Sequence, residues 1–300
     1  MKLIVSGASG LLGTELVNFL QISGFEVKSL VRDRKLQDNN HIFWDPENKK
    51  IDAKALQWAD AIIHLSGENI ADRRWTIEQK RRIYNSRIKS TQTLVFALCQ
   101  LQHPPKCLIM ASAIGFYGNC GFRHCHERTP QGHGFLAALC HQWEAAALPA
   151  EAKGIRVVNL RFGIILSPKG GVLGKMVPVF QWGLGGRLGS GKQYMSWITI
   201  DDVIRIVLFA IVNENLKGPV NVVSPYPVTN ASFTKTLAKI LNRPAFFHVP
   251  AMVLKLIFGK EMAEEVLLSS TRVEPLRLTH AGYAFLYSDL EVALRHLLKK

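Results

Sequence analysis

The chain has 300 residues, of which 48% are hydrophobic and 20% are charged, and this composition is typical of a globular protein with one large or two smaller domains. It excludes a disordered or low-complexity scaffold. The 37 lysines and arginines exceed the 23 acidic residues by 14 charges. Such an excess indicates an anionic partner, which would be a nucleic acid, a membrane surface or a phosphorylated small molecule.

Neither a transmembrane segment nor a secretory signal is expected. The longest apolar stretches, at 206–212 and 253–258, are far shorter than the roughly 20 residues that span a bilayer. The apolar run at the N-terminus reaches Gly7 before it attains the about 7 to 15 residues of a signal-peptide core. Five cysteines, an odd number, fit reduced thiols. We therefore expect a cytoplasmic protein without a membrane contact.

In the first half of the chain, short apolar strands alternate with longer helical patterns. Strands are predicted at 2–6, 26–31, 60–65, 106–111 and 155–160, and helical patterns follow the first strand and run over 76–102 and 135–147. This alternation predicts the α/β class with a Rossmann-type doubly wound parallel sheet, whose ligand lies beyond the carboxyl ends of the strands.

The second half has a different composition. Eight of the 23 glycines lie between Gly170 and Gly191, which predicts a functional or mobile loop. A helix to about residue 213, a strand at 218–224 and mostly helical segments follow. We divide the chain into a cofactor-binding Rossmann domain, 1–165, and a smaller, mostly helical substrate-side lobe, 166–300, with segments that return to the main sheet.

A glycine motif with the spacing G-x-x-G-x-x-G separates the first strand from the first helix. In a dinucleotide-binding loop, the glycines permit a tight turn, a close approach of the pyrophosphate, and close packing of helix on strand. No Lys-Ser or Lys-Thr pair follows, so a P-loop is excluded; a plain structural turn is the alternative. The predicted cofactor-binding residues in this loop are Gly7, Ser9, Gly10, Leu11, Leu12 and Gly13.

The residues after the second strand indicate which dinucleotide binds. An NAD site usually places an acidic residue there to hold the ribose 2′-hydroxyl. This chain has Arg32, Asp33 and Arg34 at that point. Arg32 is placed to meet a 2′-phosphate, with Arg34 as a helper, so NADP(H) is favoured. Asp33 leaves NAD as an alternative cofactor. The other alternative is that both arginines are merely solvated.

Further stretches combine with the glycine motif into a pattern that covers nearly the whole chain: 65–70, 73–75, 86–87, 112 with 115–118, 183–191, 197–202 and 221–225. With this pattern the chain resembles the extended short-chain dehydrogenase/reductase superfamily, on its nucleotide-sugar epimerase/dehydratase side. It resembles most the group labelled epimerase family protein, some members of which carry a cell-division-inhibitor label.

The resemblance implies roles for five residues. Leu65, Ser66 and Gly67 would line the cofactor cleft, and Arg87 would approach it from a long helix. Ser112 matches the superfamily's active-site serine. A hydroxyl at a strand's carboxyl end could also hydrogen-bond a substrate carbonyl or alcohol; a capping role is the alternative.

The superfamily's Tyr-x-x-x-Lys pair is missing. Whether Phe135 or Leu136 aligns with the tyrosine, the lysine position falls on Leu139 or Cys140, and neither replaces a lysine. Tyr117 is the predicted substitute proton donor, although a tyrosine with an ordinary pKa near 10 is a poor base at neutral pH. Further titratable candidates are His133, Cys140 and His141.

Other clusters give weaker signals. Cysteines and histidines crowd 120–133, but they lack the paired spacing of a zinc site, so no metal is predicted. A basic run over 73–89 lacks a nucleic-acid motif or stacking platform, which disfavours nucleic acid. Cations alternate with glycines in the second half, which suits capture of an anionic substrate: Lys169, Lys175, Arg187 and Lys192.

Together these features predict an NADP(H)-dependent oxidoreductase or epimerase-like protein with an atypical active site. Its substrate would be a small anionic or nucleotide-sugar-like molecule. The alternative is a catalytically silent NADPH-binding protein that senses redox state or binds a partner, and the missing Tyr-Lys pair favours it. The sequence does not reveal the oligomeric state.

Overall fold

A computed structural model describes residues 1–299. The strands, in chain order, are β1 (Lys2–Ser6), β2 (Glu26–Val31), β3 (His41–Asp45), β4 (Lys50–Ile51), β5 (Ala61–His64), β6 (Cys107–Ala113), β7 (His124–Cys125), β8 (Arg156–Phe162), β9 (Ile164–Ser167), β10 (Gly186–Leu188), β11 (Tyr194–Met195), β12 (Trp197–Thr199), β13 (Gly218–Val222), β14 (Val228–Thr229), β15 (Phe247–Val249) and β16 (Arg272–Val273).

The α-helices are α1 (Leu11–Ile22), α2 (Ala53–Leu56), α3 (Ile77–Cys99), α4 (Phe135–Ala145), α5 (Leu148–Ala152), α6 (Gly171–Gln181), α7 (Ile200–Val212), α8 (Asn230–Leu241), α9 (Ala251–Phe258), α10 (Lys260–Met262), α11 (Leu276–His280) and α12 (Leu290–Leu298). Short 3₁₀ turns cover Arg34–Leu36 and Ile114–Tyr117, and a π-helical turn covers Ala263–Leu267. Within residues 1–299, no helix combines the length and the apolar character that a membrane crossing requires.

The main sheet has eight strands in the order β13-β8-β6-β5-β1-β2-β3-β4. All neighbours pair in parallel except β3 and β4. The chain moves outward from β1 through β2 to β3, then returns to the other side of β1 with β5. The predicted doubly wound Rossmann-type sheet is therefore confirmed, with its switch point between β1 and β5.

Helices cover both faces of the sheet, which explains why the central strands are apolar along their length. Leu3, Ile4 and Val5 are completely buried; Leu3 and Val5 face a core shared with α1, α7, α8 and α12, whereas Ile4 faces the core under α3 and α5. Loop residues at the carboxyl edge of the strands, Leu11 and Leu65, pack against the first core. The core therefore supports the loops of the candidate site.

The glycine-rich segment is not one long loop, and that prediction was wrong. It contains α6, with Leu173 and Phe180 buried in the core, and β10. Those two apolar residues lie seven positions apart and so face the same side of a helix. In this half, β13 joins the main sheet, and the remaining strands form two-stranded pairs, two of them with β7 and β9 of the first half or its boundary: β10–β15, β11–β14, β12–β9 and β16–β7.

Candidate functional site

The loops predicted to bind a cofactor meet at the carboxyl edge of the sheet. Loop 7–13 follows β1, Arg32 follows β2, and 65–67 follows β5, while Ser112 lies within the last two residues of β6. Because β1 and β5 are hydrogen-bonded neighbours on either side of the switch point, their loops border the crevice in which this fold type binds ligands.

The three motif positions need glycine for different structural reasons. Gly7 has φ +72°, and a Cβ there would lie 2.9 Å from the backbone carbon of Leu65. A Cβ on Gly13 would lie 2.1 Å from the Gly7 carbonyl oxygen, so Gly13 lets α1 pack against the loop. Gly10 is exposed, and the nearest atom to its Cβ position is 3.4 Å away. Internal packing therefore requires Gly7 and Gly13, whereas Gly10 leaves open space next to the backbone.

That open space lies at the start of α1. Gly10 is the N-cap residue and offers no side chain to the helix. Within residues 1–299, no acceptor bonds to the backbone N–H groups of Leu11, Leu12 and Gly13, and the first turn carries no acidic residue. Ser9 is exposed in the preceding turn. Free N–H groups and the positive end of the helix dipole make this a site for an anion such as a pyrophosphate.

The residues after β2 present a free cation. Arg32 is exposed, and in the described part of the chain it has neither an ion pair nor a side-chain hydrogen bond. The Asp33 carboxylate accepts a hydrogen bond from the Lys35 amide at 2.9 Å and caps the following 3₁₀ turn. The Arg34 guanidinium carbon lies 5.6 Å from the centre of the Phe43 ring. Asp33 thus has a local structural role, and Arg32 is the available group.

Arg87 reaches the same edge from α3. Its Nη1 donates to the Glu68 carbonyl at 2.9 Å, and its guanidinium lies 5.0 Å from the centre of the Trp143 ring. Burial lowers the pKa of Arg87 to about 10. A Cβ on Gly67 would lie 3.3 Å from Nη2 and 3.5 Å from Nε, and within residues 1–299 neither nitrogen has an acceptor. Because Gly67 has no side chain, it does not cover these two donors.

A chain of buried polar side chains connects β6, α4, β8 and β13. Ser112 Oγ donates to Glu144 Oε1 at 2.6 Å, and Arg161 donates to both oxygens of Glu144 at 2.7 Å. Arg161 Nη1 also donates to the Tyr117 hydroxyl at 2.9 Å, which donates to Asn221 Oδ1 at 2.7 Å. The Arg161–Glu144 pair is bidentate, the strongest geometry for such a pair.

This network engages both residues predicted for catalysis. Ser112 is 2% exposed and Tyr117 is 1% exposed, and burial raises the pKa of Tyr117 to about 12. The structure thus gives both hydroxyls an internal hydrogen-bonding role, while their roles in turnover stay predictions. Sequence reasoning missed Glu144, Arg161 and Asn221. The available signal was Arg161 near the end of β8, because an arginine is rarely buried unless it is paired.

Helix α4 carries no substitute for the missing lysine. Cys140 is buried, and burial raises the pKa of its thiol to about 12. Leu139 is buried as well, whereas His133 and His141 are exposed. The N-terminus of α4 is capped from the second half of the chain, because Glu265 accepts hydrogen bonds at 2.8 Å from the amides of 135 and 136.

The cysteine and histidine cluster is held by other contacts. The sulfur atoms of Cys120 and Cys125 are in contact at 2.7 Å, and His124 pairs with Glu274. In the part of the chain that the structure describes, no three His, Cys, Asp or Glu side chains are grouped to hold a metal ion.

Comparison with known proteins agrees with this geometry. The NAD dependent epimerase/dehydratase family matches residues 3–226, and a domain of unknown function, DUF1731, matches residues 249–297. The epimerase family protein Mb2239 of Mycobacterium bovis is 43% identical over 290 residues, which are 97% of this chain and 95% of that protein.

Two solved structures are similar over the whole chain. The human epimerase family protein SDR39U1, crystallised with NADPH, is 31% identical, covers 100% of both chains and has a TM-score of 0.90. A nucleoside-diphosphate sugar epimerase from Corynebacterium glutamicum is 34% identical with a TM-score of 0.82, and the match covers 99% of this chain and 58% of that one. The chain therefore belongs to the NAD dependent epimerase/dehydratase family.

Proposed function

We propose that this chain binds NADP(H) and acts as an oxidoreductase or epimerase-like enzyme with an atypical active site. The observation that carries the proposal is the uncapped start of α1 at the switch point of the sheet, where Gly10 leaves the backbone open. The human relative that was crystallised with NADPH supports the same cofactor class.

The chain's own groups fit such a dinucleotide. The free N–H groups of 11–13 would hold the pyrophosphate, and Arg32 would pair with the 2′-phosphate in charge-assisted hydrogen bonds. The Nε and Nη2 donors of Arg87 face the cleft beside Gly67, where they would orient a ribose hydroxyl or a phosphate oxygen. When bound, the nicotinamide supplies hydride transfer.

The preference for NADP(H) is tested by comparing two variants that lose one positive charge each. Arg32→Ala is expected to weaken NADPH binding about 10- to 100-fold, because hydrogen bonds to charged groups contribute about 1.5–3 kcal/mol. NADH binding should stay the same. Lys35→Ala, exposed three residues away, is the control. Calorimetric titrations showing equal affinities of the wild type for NADPH and NADH would refute the assignment of Arg32.

The reaction itself is the finer part of the proposal. We infer a small anionic or nucleotide-sugar-like substrate, with Ser112 and Tyr117 as the hydroxyls nearest to the expected reaction centre. One observation favours the alternative of a catalytically silent NADPH-binding sensor or partner-binding protein: both hydroxyls already donate to internal acceptors. A buried tyrosine with a pKa of about 12 is also a weak acid-base group at neutral pH.

A turnover screen separates the two alternatives. Purified protein is incubated with NADPH and a panel of carbonyl compounds and nucleotide sugars, and NADPH oxidation is followed by absorbance, with Ser112→Ala and Tyr117→Phe alongside. The enzyme hypothesis predicts turnover that falls in at least one variant. Turnover that is unchanged in both removes these residues from catalysis. Because epimerisation consumes no net NADPH, the nucleotide sugars are also analysed for epimers by chromatography. Tight NADPH binding with neither NADPH oxidation nor epimer formation across the panel supports the silent alternative.

A further inference from the structure

A second pocket lies away from the dinucleotide loops, between α8 and the parallel pair β10–β15. Its volume is about 340 Å³, and its lining includes three basic side chains, Arg187, Lys235 and His248, and no acidic one. None of its lining residues belongs to the loops after β1, β2, β5 or β6. We refer to it as the α8 pocket.

The strand pairing places two of the basic groups side by side. Arg187 and His248 are direct partners in the parallel register of β10 and β15, so both side chains project from the same face of this small sheet. Lys235 faces them from α8. All three are exposed, and within residues 1–299 none of them has an ion-pair partner. Like charges brought together without an acid favour a bound anion between them.

The other walls of the pocket are small or aromatic. The face of α8 that lines the pocket carries small side chains, which leave space for a ligand: Ala231, Thr234 and Ala238, at positions i, i+3 and i+7. Thr234 is 4% exposed, and its hydroxyl has no hydrogen-bond partner in the described residues. Phe246 is 85% exposed and Phe247 is 51% exposed. Phe247 precedes His248 in β15 and projects from the opposite face of the small sheet, so Phe246 is the ring that offers apolar surface to a flat group beside the basic side chains.

Three other basic groups that could hold an anion are already engaged. In the larger cavity of about 550 Å³, Arg277 donates to the carbonyls of Lys217 and Pro219. In the glycine-rich half, Lys169 pairs with Glu15 at 2.7 Å, and Lys175 lies 3.7 Å from Asp72. In contrast, Arg187 in the α8 pocket has no ion-pair partner within residues 1–299.

We propose that the α8 pocket binds a phosphate monoester that carries an aromatic or heteroaromatic ring. The positive charges of Arg187 and Lys235 match the two negative charges of a phosphate monoester, which a single carboxylate lacks, and the Phe246 ring matches the flat group. The volume lies within the range of about 300 to 1,000 Å³ of small-molecule sites. The site is independent of the proposed dinucleotide site, since the two share no residue.

The test uses phenyl phosphate as the probe and inorganic phosphate as its truncated form. Both are titrated into the full chain and followed by calorimetry and by amide shifts in NMR spectra. Phenyl phosphate is expected to bind more tightly than inorganic phosphate because of the aromatic contacts. Arg187→Ala and Lys235→Ala should each weaken its binding about 10-fold or more.

Three controls make the outcome decisive. Lys153→Ala, which loses an exposed charge after α5, should leave phenyl phosphate binding unchanged. The amide shifts of the pocket segments 231–238 and 245–248 report this site, which separates it from any phenyl phosphate that binds at Arg32. Thermal unfolding of each variant shows that the fold is intact. The proposal is overturned if phenyl phosphate does not shift these pocket amides up to about 10 mM, or if Arg187→Ala and Lys235→Ala retain the wild-type affinity.

Discussion

Replacing Arg161 by methionine tests whether the buried network under the site stabilises the fold. The side chain of Arg161 is 4% exposed and that of Glu144 is 12% exposed, so water screens this pair weakly. In Arg161→Met, the Glu144 carboxylate keeps only the hydrogen bond from Ser112, and the Tyr117 hydroxyl loses its donor. The substitution therefore leaves a buried charge without its partner.

The expected cost follows from this geometry. Removing one partner of a buried ion pair costs about 3–5 kcal/mol, because the remaining charge stays desolvated. Arg161 also lies 3.5 Å above the centre of the Phe116 ring, and the loss of this cation–π contact places the cost in the upper part of that range. For a chain of 300 residues with an unfolding entropy of about 2.1 cal/mol/K per residue, a cost of about 3–5 kcal/mol lowers Tm by about 5–8 °C.

The assay is urea unfolding at pH 7, followed by circular dichroism. The double variant Glu144→Leu/Arg161→Met should be more stable than Arg161→Met alone, because no unpaired charge remains. Arg128→Met, which removes an exposed arginine, is the control and should change stability by less than about 0.5 kcal/mol. A cost below about 1 kcal/mol for Arg161→Met, or a double variant less stable than Arg161→Met alone, would refute the reasoning.

Three further predictions concern stability. Burial lowers the pKa of His64 to about 3; as the pH falls below about 6.5, the unfolded chain takes up a proton that the folded chain does not, so stability falls by about 1.4 kcal/mol per pH unit. In pH-dependent urea titrations, His64→Gln should lose this slope and the exposed control His103→Gln should keep it. Gly13→Ala should lower Tm strongly, because its Cβ would lie 2.1 Å from the Gly7 carbonyl oxygen. Gly10→Ala should fold normally and lose NADPH affinity. Equal Tm values for the two variants would contradict this prediction. Asp202 is completely buried, and its carboxylate accepts four hydrogen bonds. Asp202→Ala should lower the free energy of unfolding by at least about 3 kcal/mol, measured by chemical unfolding.

Local chemistry explains which parts of the fold the sequence predicted well. The bounds of β1 and β2 agree with the prediction to the residue, because β1 is a short apolar run that ends before Gly7 and β2 ends before the charged Arg32. The glycine loop was predictable because its two spacings depend on contacts within the loop and with the backbone of Leu65 after β5. In contrast, β3 and β4 were missed; β4 has two residues, and its place at the edge of the sheet depends on pairing with β3 rather than on its own pattern.

The network under the site could not be predicted for a similar reason. Its hydrogen bonds join residues 17 to 104 positions apart, and no local spacing encodes such contacts. Ser112 and Tyr117 were singled out for their residue type and their position after a strand, and both lie at the expected edge. What the sequence did not reveal is the direction of their hydroxyls, which the bidentate pair of Arg161 and Glu144 determines.

The basic run at 73–89 also has a different meaning once its partners are known. Arg74 Nε donates to the Ile257 carbonyl at 2.6 Å, and Lys80 pairs with Glu261 at 2.8 Å. With the cap that Glu265 gives to α4, these contacts tie the segment 257–265 to the Rossmann half beside the cleft. Two cations of this basic run therefore connect the two halves of the chain. Positive charge indicates a ligand here where a cation keeps donors without an internal acceptor next to open space, as Arg32 and Arg187 do.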